Sequence, residues 1–310
     1  MQGRFLVFKN GKWSPYSIKE VESNVDWDTI KLRFTMSIRF QLFAGLVFFL
    51  GCFPSWVLAE VDSPTTEDTF FKDTKIWDVI LTVSAENYKL LKPKAGGGFG
   101  TDFEYVRANV AIAGNLYENV GLRYKGNSSF STARDIPKKS FKIDFNRFVK
   151  GQKFLGLTKL NLNNNVLDPS QIREALAYRL WRKLELPGSK TTFARLTLTV
   201  PGHYDKKLLG LYIVVEQVNG PFLEKWFGTN KGLLLKPERN LSMPYLGEAF
   251  VEYERIYVPK SLTKSRLAKR LIAFTWLIHH ADDVVFAEQI GNFVELEQLA
   301  RFTAVHAVLS

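Results

Sequence analysis

The feature that most constrains the fold is a succession of short segments in which apolar and polar residues alternate. Such segments, rich in β-branched and aromatic residues and separated by turn residues, predict half-buried β-strands. They lie at 78–83, 106–112, 120–126, 140–145 and 159–163, and again at 194–200, 208–218 and 232–236. We therefore expect the first part of the chain to form a mainly antiparallel sheet.

One long helix interrupts the strands, at about 168–186. Asp168 suits the N-cap and Pro169 the first helical position, and a Pro-Gly pair ends the segment. Apolar residues recur at helical spacing and predict the face that packs against the core. These residues are Ile172, Leu176 and Leu180.

The remainder of the chain is mainly helical. A short helix is predicted at 221–227, and longer helices at 262–286 and 294–309. A strand-rich part with one prominent helix, followed by a helical part, predicts an α+β fold with two lobes.

The N-terminal region has the pattern of a secretory signal peptide at 36–59. Arg39 supplies the positive flank, an apolar stretch follows, and Val57-Leu58-Ala59 is a small-residue cleavage pattern. We expect Met36 to be the true start, 1–35 to be an upstream extension, and 60–75 to be a linker. The alternative is an uncleaved anchor helix, although the apolar run is short for a membrane span.

Charge and cysteine content narrow the classes of partner. The formal net charge is +11, which favours anionic partners such as phosphate or an envelope polymer. Export makes nucleic acid an unsuitable partner. Cys52 is the only cysteine and lies inside the predicted signal peptide, so the mature chain has neither disulfides nor thiolate zinc sites.

The stretch GLRYKGNSSF carries the first candidate chemistry. Arg123 and Lys125 share one face of a strand, and Gly126 allows a tight turn. The three polar residues that follow, Asn127, Ser128 and Ser129, offer hydrogen-bond donors. Together they suit a phosphate-binding turn, and a basic hairpin on a half-buried sheet is the alternative.

Two further strands carry polar residues that suit a nucleotide. In KKSFKIDF, Lys142 lies on the polar face and Lys139 just precedes the strand. Glu216 and Gln217 end another strand, where they can read an adenine edge or a ribose hydroxyl, unless they are simply solvated. The GGGFG run at 96–100 lacks the helix and lysine of a P-loop, and HHADD at 279–283 lacks a third metal ligand.

The ordered series of segments resembles the CotH (spore coat protein H) kinase family. The resemblance runs from Ile76 to Leu309 and rests on LRYKGNSSF, KKSFKIDFN, LNLNNNVLDPSQIREALAYRLWRKL, GLYIVVEQVNGPFLEKWFG and GLLLKPE. It implies an atypical protein-kinase-like fold over 76–310 and transfer of the ATP γ-phosphate to protein Ser/Thr with Mg²⁺ or another divalent metal. It also implies an exported protein, without a stable membrane span after signal cleavage, that acts on secreted, envelope or coat proteins.

The resemblance also implies roles for particular residues. The RYKGNSS turn replaces the kinase glycine-rich loop, and Lys142, or else Lys139, is the phosphate-binding lysine. Glu174 is the helix glutamate that pairs with that lysine, with a solvated glutamate as the alternative. Lys236 matches a family position without an assigned role.

The sequence departs from the family pattern in the carboxylates that phosphoryl transfer requires. The resemblance implies aspartates in N-x-D and W-D-x-D-like motifs after a helix resembling 296–310, and the chain ends at Ser310. We therefore expect an incomplete second lobe and a chain that is inactive as given. The alternative function is a non-catalytic extracytoplasmic module that binds an anionic envelope polymer.

Overall fold

The computed structural model describes residues 6–8, 66–72, 75–93, 103–237, 243–261 and 263–309. They all belong to one unit of the chain, Met1–Lys12 together with Asp62–Ser310. The predicted signal peptide and the GGGFG run lie outside the described residues.

Seven strands close into a barrel in the order β2-β3-β4-β5-β6-β8-β7. Their bounds are β2 (Ile76–Thr82), β3 (Val106–Ile112), β4 (Asn115–Lys125), β5 (Ser140–Asp144), β6 (Lys159–Asn163), β7 (Thr191–Val200) and β8 (Tyr204–Glu216). Neighbouring strands are antiparallel except β2 and β7, which pair in parallel from Ile76–Phe193 to Thr82–Thr199 and close the barrel. The expectation of an antiparallel sheet is therefore wrong for this pair, because sequence patterns do not reveal how distant strands meet.

The main core fills the barrel. Alternate residues of each strand point inward, and on β4, β5 and β6 the inward residues are almost fully buried. They are Leu122, Tyr124, Phe141, Ile143, Leu160 and Leu162. The residues between them therefore lie on the outer face, where polar side chains gather.

A short helix, α1 (Glu67–Phe70), packs against the barrel core from within the stretch predicted as a linker. Phe70 is fully buried, and its ring lies 5.5 Å from that of Trp77 and 4.7 Å from that of Phe154. Lys190 holds the helix from outside through ion pairs to Glu67 and Asp68, at 2.8 and 2.5 Å.

The remaining elements surround the barrel or follow it. The helices are α2 (Ala85–Leu90), α3 (Ser128–Thr132), α4 (Arg173–Lys183), α5 (Gly220–Phe227), α6 (Phe250–Glu254), α7 (Ser265–His280), α8 (Asp283–Gln289) and α9 (Leu296–Leu309), with a 3₁₀ turn at Ile290–Asn292. A second antiparallel sheet has the order β1-β9-β10. Its strands are β1 (Leu6–Phe8), β9 (Leu233–Pro237) and β10 (Tyr257–Pro259).

Helix α4 begins later than predicted, at Arg173, with Ile172 at the N-cap position. Asp168 still caps the helix from the preceding turn, because its carboxylate accepts a hydrogen bond from the Arg173 backbone N–H at 2.8 Å. The chain from Asp168 to Ile172 is a turn, not a first helical turn.

The buried face of α4 also differs from the prediction. Leu176 is 51% exposed, whereas Ala175 and Tyr178 pack against Ile213 and Val215 of β8. The small Ala175 side chain is what lies against the barrel, so apolar periodicity indicated the wrong face.

The predicted α+β composition is confirmed, and the two-lobed, kinase-like arrangement stays a prediction. The helix expected at 262–286 is two helices, because Ala281 adopts an extended conformation and Asp282 caps α8 by accepting from the Val285 N–H at 2.8 Å. Within the described ranges, no helix is both long and apolar enough to cross a membrane.

Candidate functional site

The outer faces of β4, β5 and β6 carry a polar patch built from cross-strand rows. In the first row, Arg123 lies opposite Lys142, and Lys142 lies opposite Asn161. The Asn161 amide donates to the Gln217 side-chain oxygen and to the Val215 carbonyl, both at 3.2 Å. This row therefore runs from two cations on β4 and β5 to Asn161 on β6 and the Gln217 amide just after β8.

The second feature of the patch is a hydrogen-bonded relay. The Lys125 ammonium donates to Oδ1 of Asn163 at 2.7 Å. The amide nitrogen of Asn163 donates to both carboxylate oxygens of Glu174, at 2.7 and 2.9 Å. Asn163 thus joins a lysine of β4 to a glutamate of α4.

The two lysines of the patch are held in an unfavourable environment for positive charge. Burial, together with the positive charges of Arg123 and Lys125, lowers the pKa of Lys142 to about 7. Burial likewise is the main cause that lowers the pKa of Lys125 to about 8, although the negative charge of Glu174 partly opposes it. Both half-buried ammonium groups therefore lie where an added anion would be stabilised.

Glu174 is half-buried at the edge of the patch, not solvated. Burial raises the pKa of its carboxyl, while the hydrogen bond from Asn163 and the charge of Lys125 lower it. The resemblance implied that Glu174 pairs with the phosphate-binding lysine, Lys142 or else Lys139. The structure connects it to Lys125 instead, because β6 inserts Asn163 between β4 and α4.

The residues after the glycine turn form a helix where the sequence predicted a loop. Gly126 adopts a left-handed φ of +94°, and Ser128 then begins α3. Phe130 anchors this helix in the barrel, with its ring 4.9 Å from that of Phe103 and 5.6 Å from that of Tyr124. Asn127, Ser128 and Ser129 thus belong to a fixed segment that directly follows Lys125.

Lys139 has a structural position. Its ammonium donates to the Arg134 carbonyl at 2.6 Å and to the Ala133 carbonyl, at the end of α3. The residue is 8% exposed and its ammonium also lies 5.0 Å from the Phe130 ring centroid. Lys139 therefore holds α3 in place, which leaves Lys142 as the lysine of KKSFKI on the polar patch.

Glu216 and Lys236 differ in their relation to the patch. Glu216 is on the inward-facing register of β8 and accepts a hydrogen bond from the Lys190 backbone N–H at 2.9 Å, so it is separated from its neighbour Gln217. Burial raises the pKa of the Glu216 carboxyl. Lys236, on β9, is near enough for its charge to lower the pKa of Lys125.

The family of the chain follows from comparison with protein-family models. The model described as CotH kinase protein matches residues 122–310, more than half of the chain. The chain belongs to the CotH kinase family. The match begins at Leu122 on β4 and covers the whole polar patch. A comparison with curated proteins found no match.

Sequence reasoning did not single out two residues of the polar patch, Asn161 and Asn163. The signal was available in KLNLN, where Leu160 and Leu162 alternate with asparagines. Asparagine is depleted in strands, so two of them on the outward positions of one strand indicate a polar role for that face.

The histidines of HHADD form no metal centre. His279 donates from Nε2 to the Met243 carbonyl, 2.7 Å away, and Asp282 caps α8. Throughout the described ranges, no group of three or more His, Cys, Asp or Glu side chains could hold a metal ion.

Proposed function

We propose that the polar patch of this CotH-family chain binds the phosphates of ATP. The observation that carries the proposal is the pair of half-buried lysines, Lys125 and Lys142, whose pKa values are lowered to about 8 and about 7, mainly by burial. A polyphosphate would offset the cost of holding these charges together with Arg123, since opposite charges at short range favour the charged form.

The other residues of the patch support specific roles. We assign to the Lys125–Asn163–Glu174 relay the role of the lysine–glutamate pair that positions phosphates in protein kinases. Asn161 and Gln217 present amide groups beyond Lys142, where they can hydrogen-bond the nucleoside. Gly126 supplies the left-handed φ of +94° that turns the chain from Lys125 of the patch into α3.

ATP supplies the phosphoryl group that we propose the family transfers to protein Ser/Thr. Transfer also needs carboxylates that hold Mg²⁺ and orient the acceptor hydroxyl, and the described residues form no metal-holding cluster. The role proposed for these residues is therefore to bind and orient the nucleotide. The signal-peptide pattern at 36–59 supports an exported protein whose acceptors are secreted, envelope or coat proteins.

Calorimetric titration of the 310-residue chain with ATP tests the proposal. We expect Lys125→Met and Lys142→Met each to weaken ATP binding at least about tenfold, because a charged hydrogen bond contributes roughly 1.5–3 kcal/mol. Lys183→Met, which removes an exposed lysine of α4, is the matched control and should bind like the wild type.

Two results would contradict this assignment. One is ATP binding that is unchanged in both patch variants. The other is an anionic polymer that displaces ATP and binds more tightly than ATP at the same phosphate concentration, which would favour the non-catalytic envelope module.

A further inference from the structure

A second basic surface extends from the polar patch across β3 and β4. Arg107 of β3 lies opposite Gly121 of β4, and Arg147 follows β5. Two aromatic rings accompany these arginines, those of Tyr105 and Phe148. We call Tyr105, Arg107, Arg123, Arg147 and Phe148 the basic–aromatic face.

Each arginine of the face lies against an aromatic ring. The Arg107 guanidinium carbon is 4.3 Å from the Phe148 ring centroid. Those of Arg123 and Arg147 are both 5.2 Å from the Tyr105 ring centroid. A ring positions a guanidinium while leaving its N–H groups free to donate, so the arginines are oriented without being neutralised.

Gly121 makes this arrangement possible. A Cβ atom at this position would lie 2.7 Å from Cβ of Arg147 and 3.0 Å from the Tyr105 ring. Only glycine therefore lets the Arg147 side chain lie across β4 and bring its guanidinium to Tyr105. The absence of a side chain at Gly121 thus lets Arg147 reach the same ring as Arg123.

Within the part of the chain that the structure describes, no carboxylate pairs with the arginines of the face. Among the ion pairs that the described residues form, none involves Arg107, Arg123 or Arg147. Asp144 lies opposite Gly121, but Lys159 already pairs with it at 3.3 Å. Arg107 and Arg147 are exposed, so an external anion can reach both.

We infer that the basic–aromatic face docks an acidic, extended segment of the protein acceptor. Guanidinium groups match carboxylates through two parallel hydrogen bonds. Alternate residues of an extended peptide lie on one side about 7 Å apart. Asp or Glu at every second position of the segment would therefore present a row of carboxylates to the exposed Arg107 and Arg147. The inference rests on the proposed function, because the segment belongs to the acceptor.

Fluorescence anisotropy with the 310-residue chain tests the inference without ATP. The probe is a labelled ten-residue peptide with one serine and with Asp or Glu at alternate positions. We expect it to bind, and Arg107→Ala/Arg147→Ala to weaken binding at least about tenfold while ATP binding is kept. Lys183→Ala/Lys231→Ala removes the same charge from exposed positions elsewhere and should leave peptide binding within about twofold.

Four outcomes would overturn the inference. The first is equal binding of a peptide with lysine at the acidic positions. The second is an equal loss in the control double variant, which would show a response to net charge alone. The third is a loss caused by Lys142→Met and not by Arg107→Ala/Arg147→Ala, which would place the peptide in the nucleotide site. The fourth is an anionic polysaccharide that binds the wild-type chain as tightly as the acidic peptide does and whose affinity falls equally in Arg107→Ala/Arg147→Ala.

The inference and the proposed function can fail separately. If peptide binding depends on Arg107 and Arg147 in a chain that does not bind ATP, the docking role of the basic–aromatic face is supported and the ATP site is refuted. ATP binding without peptide binding would do the reverse.

Discussion

Raising the pH should weaken ATP binding, because ATP binding must return protons to the two patch lysines. At pH 8 a lysine with a pKa of about 7, as in Lys142, carries its proton in about one molecule in ten. If bound phosphate restores the ordinary lysine pKa, about 0.9 proton is taken up at Lys142. The same arithmetic gives about 0.5 proton at Lys125, whose pKa is about 8.

The corresponding change in affinity has a definite sign. Lowered lysine pKa values mean that the free patch loses protons as pH rises, whereas the ATP-bound patch keeps them. Between pH 7 and pH 9, full restoration at Lys142 would weaken ATP binding up to about 50-fold. Salt should be held constant across the series, because screening changes the affinity independently of protonation.

Calorimetry at pH 8 in two buffers of different ionisation heat measures the proton uptake directly. Lys142→Met should reduce the uptake to that of Lys125 alone, and Lys183→Met should leave it unchanged. Zero proton uptake in the wild-type chain, together with an affinity that is flat from pH 7 to pH 9, would refute the reasoning even if ATP binds.

Three further predictions test the framework of the site by urea unfolding. Gly126→Ala should destabilise the chain by about 1–2 kcal/mol or more, because φ is +94° and the new Cβ would clash with the Ser129 hydroxyl. A Gly126→Ala/Ser129→Ala variant that is fully as stable as the wild type would show that backbone strain is absent. Lys139→Met should lower the free energy of unfolding by about 1–3 kcal/mol, because it removes the ammonium that donates to two carbonyls at the end of α3. An unchanged unfolding midpoint would argue against that role. Leu176→Ser should change the free energy of unfolding by less than about 0.5 kcal/mol, whereas Ala175→Leu should lower it by about 1–3 kcal/mol through overpacking. A larger loss of stability in Leu176→Ser than in Ala175→Leu would show that α4 buries the face predicted from periodicity.

The family and the strand faces were predictable from the sequence. Alternation is a local property, because successive side chains of a strand point to opposite sides whatever the strand pairs with. It therefore placed Arg123 and Lys125 on one face of a strand, and Lys142 on the polar face of another, before any pairing was known. The ordered motifs that carry the resemblance are likewise linear features, and the family match confirms them.

Which lysine meets Glu174 was decided only by the tertiary structure. The relay depends on β6 pairing with β5 and on Ala175 placing α4 against β8. Both are contacts between segments distant in sequence. The same holds for Lys139, which the linear pattern could not distinguish from Lys142, although its ammonium caps α3.

The sequence by itself determined the kinds of residue that face outward and the family to which the chain belongs. Tertiary structure decided the partners, through the parallel closure of β2 on β7, the insertion of Asn163 between Lys125 and Glu174, and the contact of Arg147 with Gly121. The physical reason is range: side-chain alternation follows from the backbone of one strand, whereas register and packing follow from the free energy of the whole barrel.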